Sequence, residues 1–343
     1  MIFLGDIAIT NGIIPNISSL PECFMKQPVV ANLEGAIAAP EIVSLSEMKL
    51  FSNDNILDFL KACNVRAVSL ANNHITDVSQ AFPRTKMLLS ENNIALCGAG
   101  MNREEAQAPV VIEENGVITV LLAFGWDVIG CKYAGKSTFG VNPLTARNVT
   151  SCIEKAKDQY PGAQIIILPH WDYELELYPM PMHRELAKLA IDAGASAVIG
   201  HHPHCVQGIE VYKNRLIAYS LGNWFIPDGV YMKGKTSFPD YTRLELALEL
   251  ANKEIVCHWF LYEANDTSLI FLGSEEVSNS QRVRDLTPFN AMSSEDYIKW
   301  FTVNRSKRRL LPVFKTDNHI ETHLKACFVK MRQKVTDVFL EWA

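Results

Sequence analysis

Apolar segments of strand length alternate with amphipathic helical segments over most of residues 1–204. The pattern predicts strands at 2–4, 28–33, 65–70, 118–124 and 165–168, and helices at 54–64, 80–92, 144–160 and 183–193. Such alternation indicates helices packed on a partly parallel sheet, because parallel strands need crossover connections. From residue 209 successive strands follow one another, and after residue 293 the pattern turns helical. The sequence therefore predicts an α/β fold with a helical end.

Polar side chains follow the predicted strands at the points where they end. Asp6 and Glu34 each follow a strand and lie beside a glycine, while Asn73 and His74 follow the third strand. His170 stands just after 165–168. Taken singly, each residue is equally well explained as a turn or helix cap. Together they predict one site, since ligands bind outside the carboxyl ends of strands in α/β sheets.

Three histidines, His201, His202 and His204, follow the apolar run 193–199. Neutral imidazole is the commonest protein ligand for zinc-like metals. If the segment is extended, His202 and His204 point the same way, because strand side chains repeat every second residue. The alternative is a histidine-rich surface loop that binds no metal. The matching ligands elsewhere in the chain favour the metal site.

The collected donors are carboxylate, amide and imidazole groups. This mixture suits borderline divalent ions such as Mn, Fe or Zn. The donors are more numerous than one four-coordinate ion requires. Two ions about 3.5–4 Å apart, bridged by one carboxylate, would use them. We therefore expect two divalent metal ions as cofactors.

These residues lie in motifs that resemble the CapA family, the bacterial capsule (poly-γ-glutamate) synthesis proteins of the calcineurin-like metallophosphoesterase superfamily. The matching segments, in order, are 5–6, 32–35, 69–74 with Asp77, 170–171 with Glu174, 200–204 and 220–223. Residues 226–343 match no motif of the family. The resemblance implies a four-layer α/β/β/α metallophosphoesterase-like sandwich with metals at the strand ends, to which the helical C-terminal appendage is added.

The resemblance also implies a set of metal ligands. These are Asp6 and His204 for the first metal, Glu34 as the bridging carboxylate, and Asn73, His170 and His202 for the second metal.

Further residues of the same motifs are expected around the metals. By the resemblance, His74 is a general acid or a contact to a phosphoryl oxygen rather than a ligand. Asp77 and Glu174 are expected to orient histidines. His201 and Asn223 belong to the matched motifs and are placed in the surrounding shell or in contact with substrate.

Two positions depart from the expected pattern. The superfamily's first motif is Asp-x-His, but position 8 is Ala8, so the first metal is expected to be held more weakly or with more water. The CapA-like sequences share this lack. Asp172 stands after Trp171, where the family has glycine. Its alternatives are an added ligand, a substrate contact and a surface charge.

Composition limits the partners and the compartment. The formal net charge of −6 argues against a nonspecific nucleic-acid binder, so no nucleic acid is expected. The sequence has neither a leader-like segment nor an apolar run of membrane-spanning length, which predicts a cytoplasmic location without a membrane segment. The eight cysteines form no C-x-x-C pair and indicate buried thiols in a reducing compartment. Cys205 is assigned to packing, and the oligomeric state is left open.

Three functions remain open at this point. The first is a two-metal phosphoesterase acting on a small or glycan-linked phosphate ester, in which water attacks phosphorus and His74 assists. The second is hydrolysis or transfer at a γ-glutamyl amide in capsule-polymer metabolism. The third is a non-catalytic metal-binding component of polymer assembly.

The domain organisation follows from the change in pattern along the chain. Residues 1–272 are predicted to form the CapA-like domain and residues 273–343 a helical extension. The loop 229–239 is predicted to be flexible and a possible lid. The last helix, predicted from about His319 to Trp342, carries an apolar stripe that is assigned to packing. The stripe consists of Leu324, Phe328, Met331, Val335, Val338 and Phe339.

Overall fold

A computed structural model describes most of the chain. The described residues are 1–9, 13–17, 20–39, 49–227, 238–251, 254–306, 310–315 and 319–341, with side chains in the last helix described for 321–334. The predicted loop 229–239 therefore lies almost wholly outside the described residues.

Strands and helices occur in the following order. The strands are β1 (Ile2–Ile7), β2 (Asn16–Ile17), β3 (Val29–Leu33), β4 (Ala36–Ile37), β5 (Phe51–Ser52), β6 (Val65–Ser69), β7 (Ala95–Cys97), β8 (Ala99–Gly100), β9 (Val110–Glu114), β10 (Val117–Gly125), β11 (Gly140–Val141), β12 (Gln164–His170), β13 (Ala197–Ile199), β14 (Ile209–Tyr212), β15 (Arg215–Ala218), β16 (Asn223–Phe225), β17 (Leu244–Ala251), β18 (Glu254–Glu263) and β19 (Ser268–Glu276). The helices are α1 (Cys23–Lys26), α2 (Ile56–Ala62), α3 (Phe82–Glu91), α4 (Arg103–Gln107), α5 (Ala146–Gln159), α6 (Pro181–Ala193), α7 (Gln281–Leu286), α8 (Ser294–Asn304) and α9 (His319–Glu341).

The strands form two large sheets. The first has the order β2-β19-β18-β17-β1-β3-β6-β7, and β16 also pairs with β1. Strands β1, β3, β6 and β7 are parallel, whereas β17, β18 and β19 continue the sheet as an antiparallel meander. The second sheet has the order β14-β15-β13-β12-β10-β9. Its central strands β10, β12, β13 and β15 are parallel, so the carboxyl ends of these strands share one edge.

The second sheet is covered on both faces, because successive residues of its strand β10 belong alternately to two different hydrophobic cores. Leu121 and Ala123 belong to the core shared with the first sheet, whereas Val120, Leu122 and Phe124 belong to a separate outer core. Successive strand residues point to opposite faces, so one strand serves both cores. Near-continuous apolar strands of this kind are typical of sheets buried on both sides.

Helices complete the outer layers. Helices α2 and α3 pack on β6 and β7 of the first sheet, and α5 and α6 pack on β10, β12 and β13 of the second. Helix α5 begins at its N-cap Thr145, whose hydroxyl accepts a hydrogen bond from the N–H of Asn148 at 3.3 Å. The layers are therefore helix, sheet, sheet and helix, and the predicted α/β/β/α sandwich is confirmed.

The C-terminal region is helical, as expected. Strand β19 runs through the proposed boundary at residue 272, and the division into two domains remains a prediction. The assignment of the α9 stripe to packing is wrong for its described members: Leu324, Phe328 and Met331 are 52–65 % exposed. Ala326 and Val329 make the buried contacts instead. A helical stripe does not reveal which neighbouring positions meet the core when the helix lies on the surface of an already covered layer.

Two further sequence predictions concern cysteines and membranes. All eight cysteines are free thiols, six of them buried, while Cys23 is half-buried and Cys327 is exposed. Among the described residues, the helices lack a segment with the length and apolar character needed to cross a bilayer.

Candidate metal centre

Parallel strands of the first sheet place Asp6 at the centre of a polar group. Asp6 lies opposite Asn32 on β3 and opposite Asn223 on β16. Its carboxylate is fully buried, and Oδ1 accepts a hydrogen bond from Nδ2 of Asn32 at 2.8 Å. Oδ2 accepts from the backbone N–H of His202 at 3.1 Å, which joins the first sheet to the histidine loop. The carboxylate is thereby held in one orientation.

Glu34 lies on the tight turn that ends β3. Gly35 has φ +78°, and a Cβ there would lie 2.5 Å from the carbonyl oxygen of Leu50, so the turn requires glycine. Glu34 is fully buried, and neither carboxylate oxygen has a hydrogen-bond partner in the described part of the chain. Burial, with the nearby Asp6, Glu174 and Asp77 carboxylates, raises the pKa of Glu34 well above its usual range. An unpaired buried carboxylate is costly, and a bound cation would remove that cost.

Asn72 fixes this turn, a role that sequence reasoning missed. Its Nδ2 donates to the carbonyl of Leu33 at 2.8 Å, and its Oδ1 accepts from the N–H of Gly35 at 3.1 Å. The available signal was the pair of asparagines at 72–73, only one of which was given a role. Asn32, which orients Asp6, was missed in the same way.

His170 ends β12 of the second sheet and reaches the first. Its Nε2 lies 2.8 Å from Oδ1 of Asn73 and 3.7 Å from Oε1 of Glu34. The ring is almost fully buried. Burial, reinforced by the neighbouring histidines, lowers the pKa of His170 well below its usual range, so the ring is neutral. Neutral imidazole is the form that binds metals.

The loop at 200–204 is not extended. The prediction that His202 and His204 point the same way because they lie two residues apart on a strand is therefore wrong in its reason. His202 and His204 have φ +101° and +55°. Such left-handed conformations are uncommon for non-glycine residues. Before them, a Cβ on Gly200 would lie 2.0 Å from the carbonyl oxygen of Tyr219, so the chain turns where only glycine fits. The two rings still lie together, with centroids 5.7 Å apart.

His202 and His204 converge on Glu34. One ligand atom from each of the three residues lies within 4.8 Å of the other two. Nε2 of His204 is 3.8 Å from Oε1 of Glu34, and Nδ1 of His204 is 3.5 Å from Oδ2 of Asp6. Nδ1 of His204 also lies 2.9 Å from Oδ1 of Asn223. The centroids of the His170 and His202 rings are 4.8 Å apart, so carboxylate, amide and imidazole groups from both sheets meet in one cluster.

His74 lies at the more open side of the cluster. Its Nδ1 is 2.8 Å from Oδ2 of Asp77, and the same oxygen accepts from the N–H of Leu50 at 3.1 Å. The His74 side chain is 22 % exposed, in contrast to the buried rings of the other histidines. Glu174 is partly buried and close enough to contribute to the raised pKa of Glu34.

His201 and Asp172 make contacts away from this cluster. His201 is buried, with Nε2 3.1 Å from the carbonyl oxygen of Leu4, and so ties the loop to β1. Asp172 is fully buried and lies 2.6 Å from Nδ1 of His183 on α6, and its Oδ1 accepts from the N–H of Met180 at 2.9 Å. The structure therefore brings together the six expected ligands, whereas Asp172 contacts the outer helical layer.

Position 8 contributes an apolar wall. Ala8 is fully buried and packs with Leu50, Ile226 and Phe238. The described residues at this wall thus supply packing, and the methyl side chain of Ala8 offers no ligand atom.

Residues 3–228 match the family model of the bacterial capsule synthesis protein PGA_cap. This region contains every residue of the cluster, and it covers more than half of the chain. The chain therefore belongs to the PGA_cap family of bacterial capsule synthesis proteins, and the predicted recognition is confirmed.

Curated relatives agree with this family. The chain is 32 % identical over 183 residues to the capsule biosynthesis protein CapA of Bacillus anthracis, a match covering 52 % of this chain and 44 % of that one. It is 34 % identical over 186 residues to the PGA biosynthesis protein CapA of Bacillus subtilis, covering 53 % and 48 %. The matches thus span about half the length of these relatives.

A solved structure is also similar in part. The crystal structure of a 5′-nucleotidase precursor from Thermus thermophilus aligns with 80 % of this chain and 53 % of its own, at 11 % identity and a TM-score of 0.39. A likeness at this level carries no conclusion about chemistry.

Proposed function

We propose that this chain is a metal-dependent hydrolase with a dinuclear centre that cleaves phosphate esters. One observation carries the proposal: Glu34 is fully buried, neither of its oxygens has a hydrogen-bond partner among the residues that the structure describes, and imidazoles surround it. A carboxylate in that setting is stabilised by cations rather than by the protein.

The donor set fits two divalent cations. Asp6 and His204 would hold the first, and Asn73, His170 and His202 the second. Glu34 would bridge them, since it lies within 4 Å of both His170 and His204. Mixed oxygen and nitrogen donors suit Mn, Fe or Zn.

When bound, such cations supply Lewis acidity toward a phosphoryl oxygen and toward a water nucleophile. The chain's own groups hold the site in place around that chemistry. Asn32 and Asn223 orient Asp6 and His204, and Asn72 fixes the Glu34 turn. Burial lowers the pKa of His170 and keeps its ring neutral, so that a proton does not compete with the metal for the ring nitrogen.

His74 is the proposed proton donor and phosphoryl contact. Its Nδ1 lies 2.8 Å from Oδ2 of Asp77, a contact that fixes the orientation of the ring. Its partial exposure supports a contact with substrate, whereas the proposed ligands His170, His202 and His204 are buried. A proton from His74 to the leaving oxygen would complete the hydrolysis.

A second candidate keeps the metals and changes the bond. The Bacillus subtilis relative is called a PGA biosynthesis protein, and a Mycobacterium tuberculosis relative, 28 % identical over 195 residues, is called a probable polyglutamine synthesis accessory protein. These names favour hydrolysis or transfer at a γ-glutamyl amide. A non-catalytic metal-binding role in polymer assembly is the third outcome.

Metal analysis followed by two substrates separates these functions. The protein is purified, its bound metals are measured, and it is assayed with an aryl phosphate and with a γ-glutamyl anilide in the presence of manganese. Cleavage of the phosphate alone supports the proposal. Cleavage of the anilide alone selects the second function, and bound metal with neither activity selects the third. The absence of divalent metal binding would reject all three.

A further inference from the structure

A second group of ligand-type side chains lies at the opposite end of the first sheet. It consists of Cys23, Glu249 and His258, and one ligand atom from each lies within 4.8 Å of the other two. Sγ of Cys23 is 3.7 Å from Nε2 of His258, and the same nitrogen is 2.9 Å from Oε2 of Glu249. These residues belong to none of the motifs that define the centre around Glu34.

The sheet register explains why these groups meet. On β18, His258 pairs with Ala247 of β17, and Glu249 follows two residues later on the same face. Ser274 of β19 lies directly opposite His258 on the other side. Cys23 comes from α1, which packs over this face through the contact of Phe24 with the His258 ring.

We propose that Cys23, Glu249 and His258 bind a zinc-like divalent cation at a site separate from the Glu34 centre. Thiolate, imidazole and carboxylate are the three side-chain ligand types of zinc. Zinc bonds of ordinary length in tetrahedral geometry separate donor atoms by about 3.3–3.6 Å. The distances of 3.7 Å and 2.9 Å lie close to this range, so small side-chain movements suffice to bind.

Neighbouring residues orient the proposed ligands. Oγ of Ser274 lies 2.6 Å from Nδ1 of His258, the kind of hydrogen bond that directs the other ring nitrogen toward a metal. Gln27 donates to the second oxygen of Glu249. Asn64 donates to the carbonyls of Phe24 and Gln27 at 2.8 and 2.9 Å, which anchors helix α1, the helix that carries Cys23.

Access and separation also suit an independent site. Glu249 and His258 are at most 8 % exposed, whereas Cys23 is half-buried and offers the entry side, where solvent would complete the coordination. Glu249 pairs with Ile2, four residues before Asp6 on β1, a distance of about 13 Å along the strand. Binding displaces the thiol proton, because thiolate is the ligand form of cysteine.

Cobalt(II) titration of the metal-free full chain tests the proposal. Thiolate ligation to cobalt gives a near-ultraviolet charge-transfer band, and the proposed Glu34 centre contains no thiol ligand. We expect this band in the unsubstituted protein, its loss on adding zinc, and its absence in Cys23→Ser. Cys327→Ser is the matched control, because Cys327 lies 3.6 Å from His323 and would be the competing source of a band. A missing band in the unsubstituted protein, or its loss in Cys327→Ser, would overturn the proposal.

Two further measurements do not depend on the folding of Cys23→Ser. Zinc should slow alkylation of Cys23 but not of Cys327 in the unsubstituted protein, as read by peptide mass. Equal alkylation of Cys23 with and without zinc would mean that the three side chains form only a hydrogen-bonded network. Ser274→Ala should weaken cobalt binding about 10–100-fold. The His202→Ala variant should keep the band, so that failure of the Glu34 centre and failure of this site are distinguishable.

Discussion

Two of the regions that bury ionisable side chains, the Arg184–Glu210 pair and the surroundings of Glu34, do so in opposite ways. On the outer face of the second sheet, Arg184 of α6 donates from Nε and Nη2 to the two oxygens of Glu210 at 2.7 and 2.6 Å. Tyr219 donates a further hydrogen bond to Glu210 at 2.6 Å, and the Arg184 guanidinium lies 4.6 Å from the centre of the Tyr297 ring. The two opposite charges thus compensate each other, although Nη1 of Arg184 has no hydrogen-bond partner among the described residues.

Glu34 lacks such compensation from the described residues. It is as deeply buried as Arg184, yet its oxygens accept no hydrogen bond from that part of the chain, and its nearest charged neighbours include the carboxylate of Asp6. The difference shows that burial of charge alone does not identify a functional site. A buried charge that is paired with an opposite charge serves the fold, whereas a buried carboxylate surrounded by further ligand-type groups without a counter-charge is the setting in which we propose a bound cation.

The largest effect should be on rate. We expect His74→Ala to lower phosphate-ester turnover about 100- to 10,000-fold, because it removes the proposed proton donor, while bound metal stays unchanged. Steady-state kinetics together with metal analysis measure both quantities. His202→Ala is the comparison variant and should lose metal. If His74→Ala loses as much metal as His202→Ala, His74 is a ligand and its proposed role is wrong.

The Arg184–Glu210 pair should dominate stability. Arg184→Met leaves a buried carboxylate without its partner, and we expect it to lower the free energy of unfolding by about 3–5 kcal/mol. Denaturant unfolding measures the loss. The double variant Arg184→Met with Glu210→Leu should recover much of it, because neither charge then remains. If Arg184→Met lowers the free energy of unfolding only slightly, the pair contributes little to stability and the contrast with the Glu34 region is wrong.

A smaller effect is expected from the residue that orients His204. Asn223→Ala removes the hydrogen-bond partner at 2.9 Å from Nδ1 and should weaken metal affinity about 10–100-fold. Calorimetric titration of the metal-free protein with manganese gives this value. Asn148→Ala is a control, since Asn148 lies on α5 and contacts Asn142 and Pro143, which precede that helix. Equal weakening in both variants would contradict an orienting role.

The smallest effect concerns the metal-free protein. The raised pKa of Glu34 means that the folded chain keeps a proton that the unfolded chain has released, so stability falls as pH rises above the ordinary glutamate range. Glu34→Gln should remove the Glu34 contribution to this decrease in stability with pH. It should also raise the free energy of unfolding of the metal-free protein at neutral pH by on the order of 1 kcal/mol. Unfolding curves with a chelator at several pH values test it. A destabilised Glu34→Gln protein at neutral pH would show that Glu34 has a compensating partner.

Much of the site could be predicted from sequence because its ligands follow apolar strands. The carboxyl ends of parallel strands meet at one edge, so Asp6, Glu34 and Asn73 had to lie near one another once the strands were recognised. The loop at 200–204 was recognised by its three histidines, but its backbone conformation was not predicted. The close approach of Gly200 to Tyr219, before its left-handed residues, is a contact between distant segments that no local pattern encodes.

Other features were outside the reach of sequence reasoning for the same reason. Cys23 and His258 are 235 residues apart, and only the pairing of β17 with β18 and the position of α1 bring them together. The orienting roles of Asn32 and Asn72 depend on which neighbour each amide meets. The exposed face of α9 depends on the layer beneath it, because an amphipathic pattern gives the angle between apolar positions but not the surface that receives them.

The centre takes Asp6, Glu34 and Asn73 from the first sheet and His170, His202 and His204 from the second. Ions bound there would connect the two sheets of the sandwich, and loss of the ions would weaken the contact between the sheets. The concentration of free divalent cation would then affect how firmly the two sheets pack together, as well as the chemistry of the site.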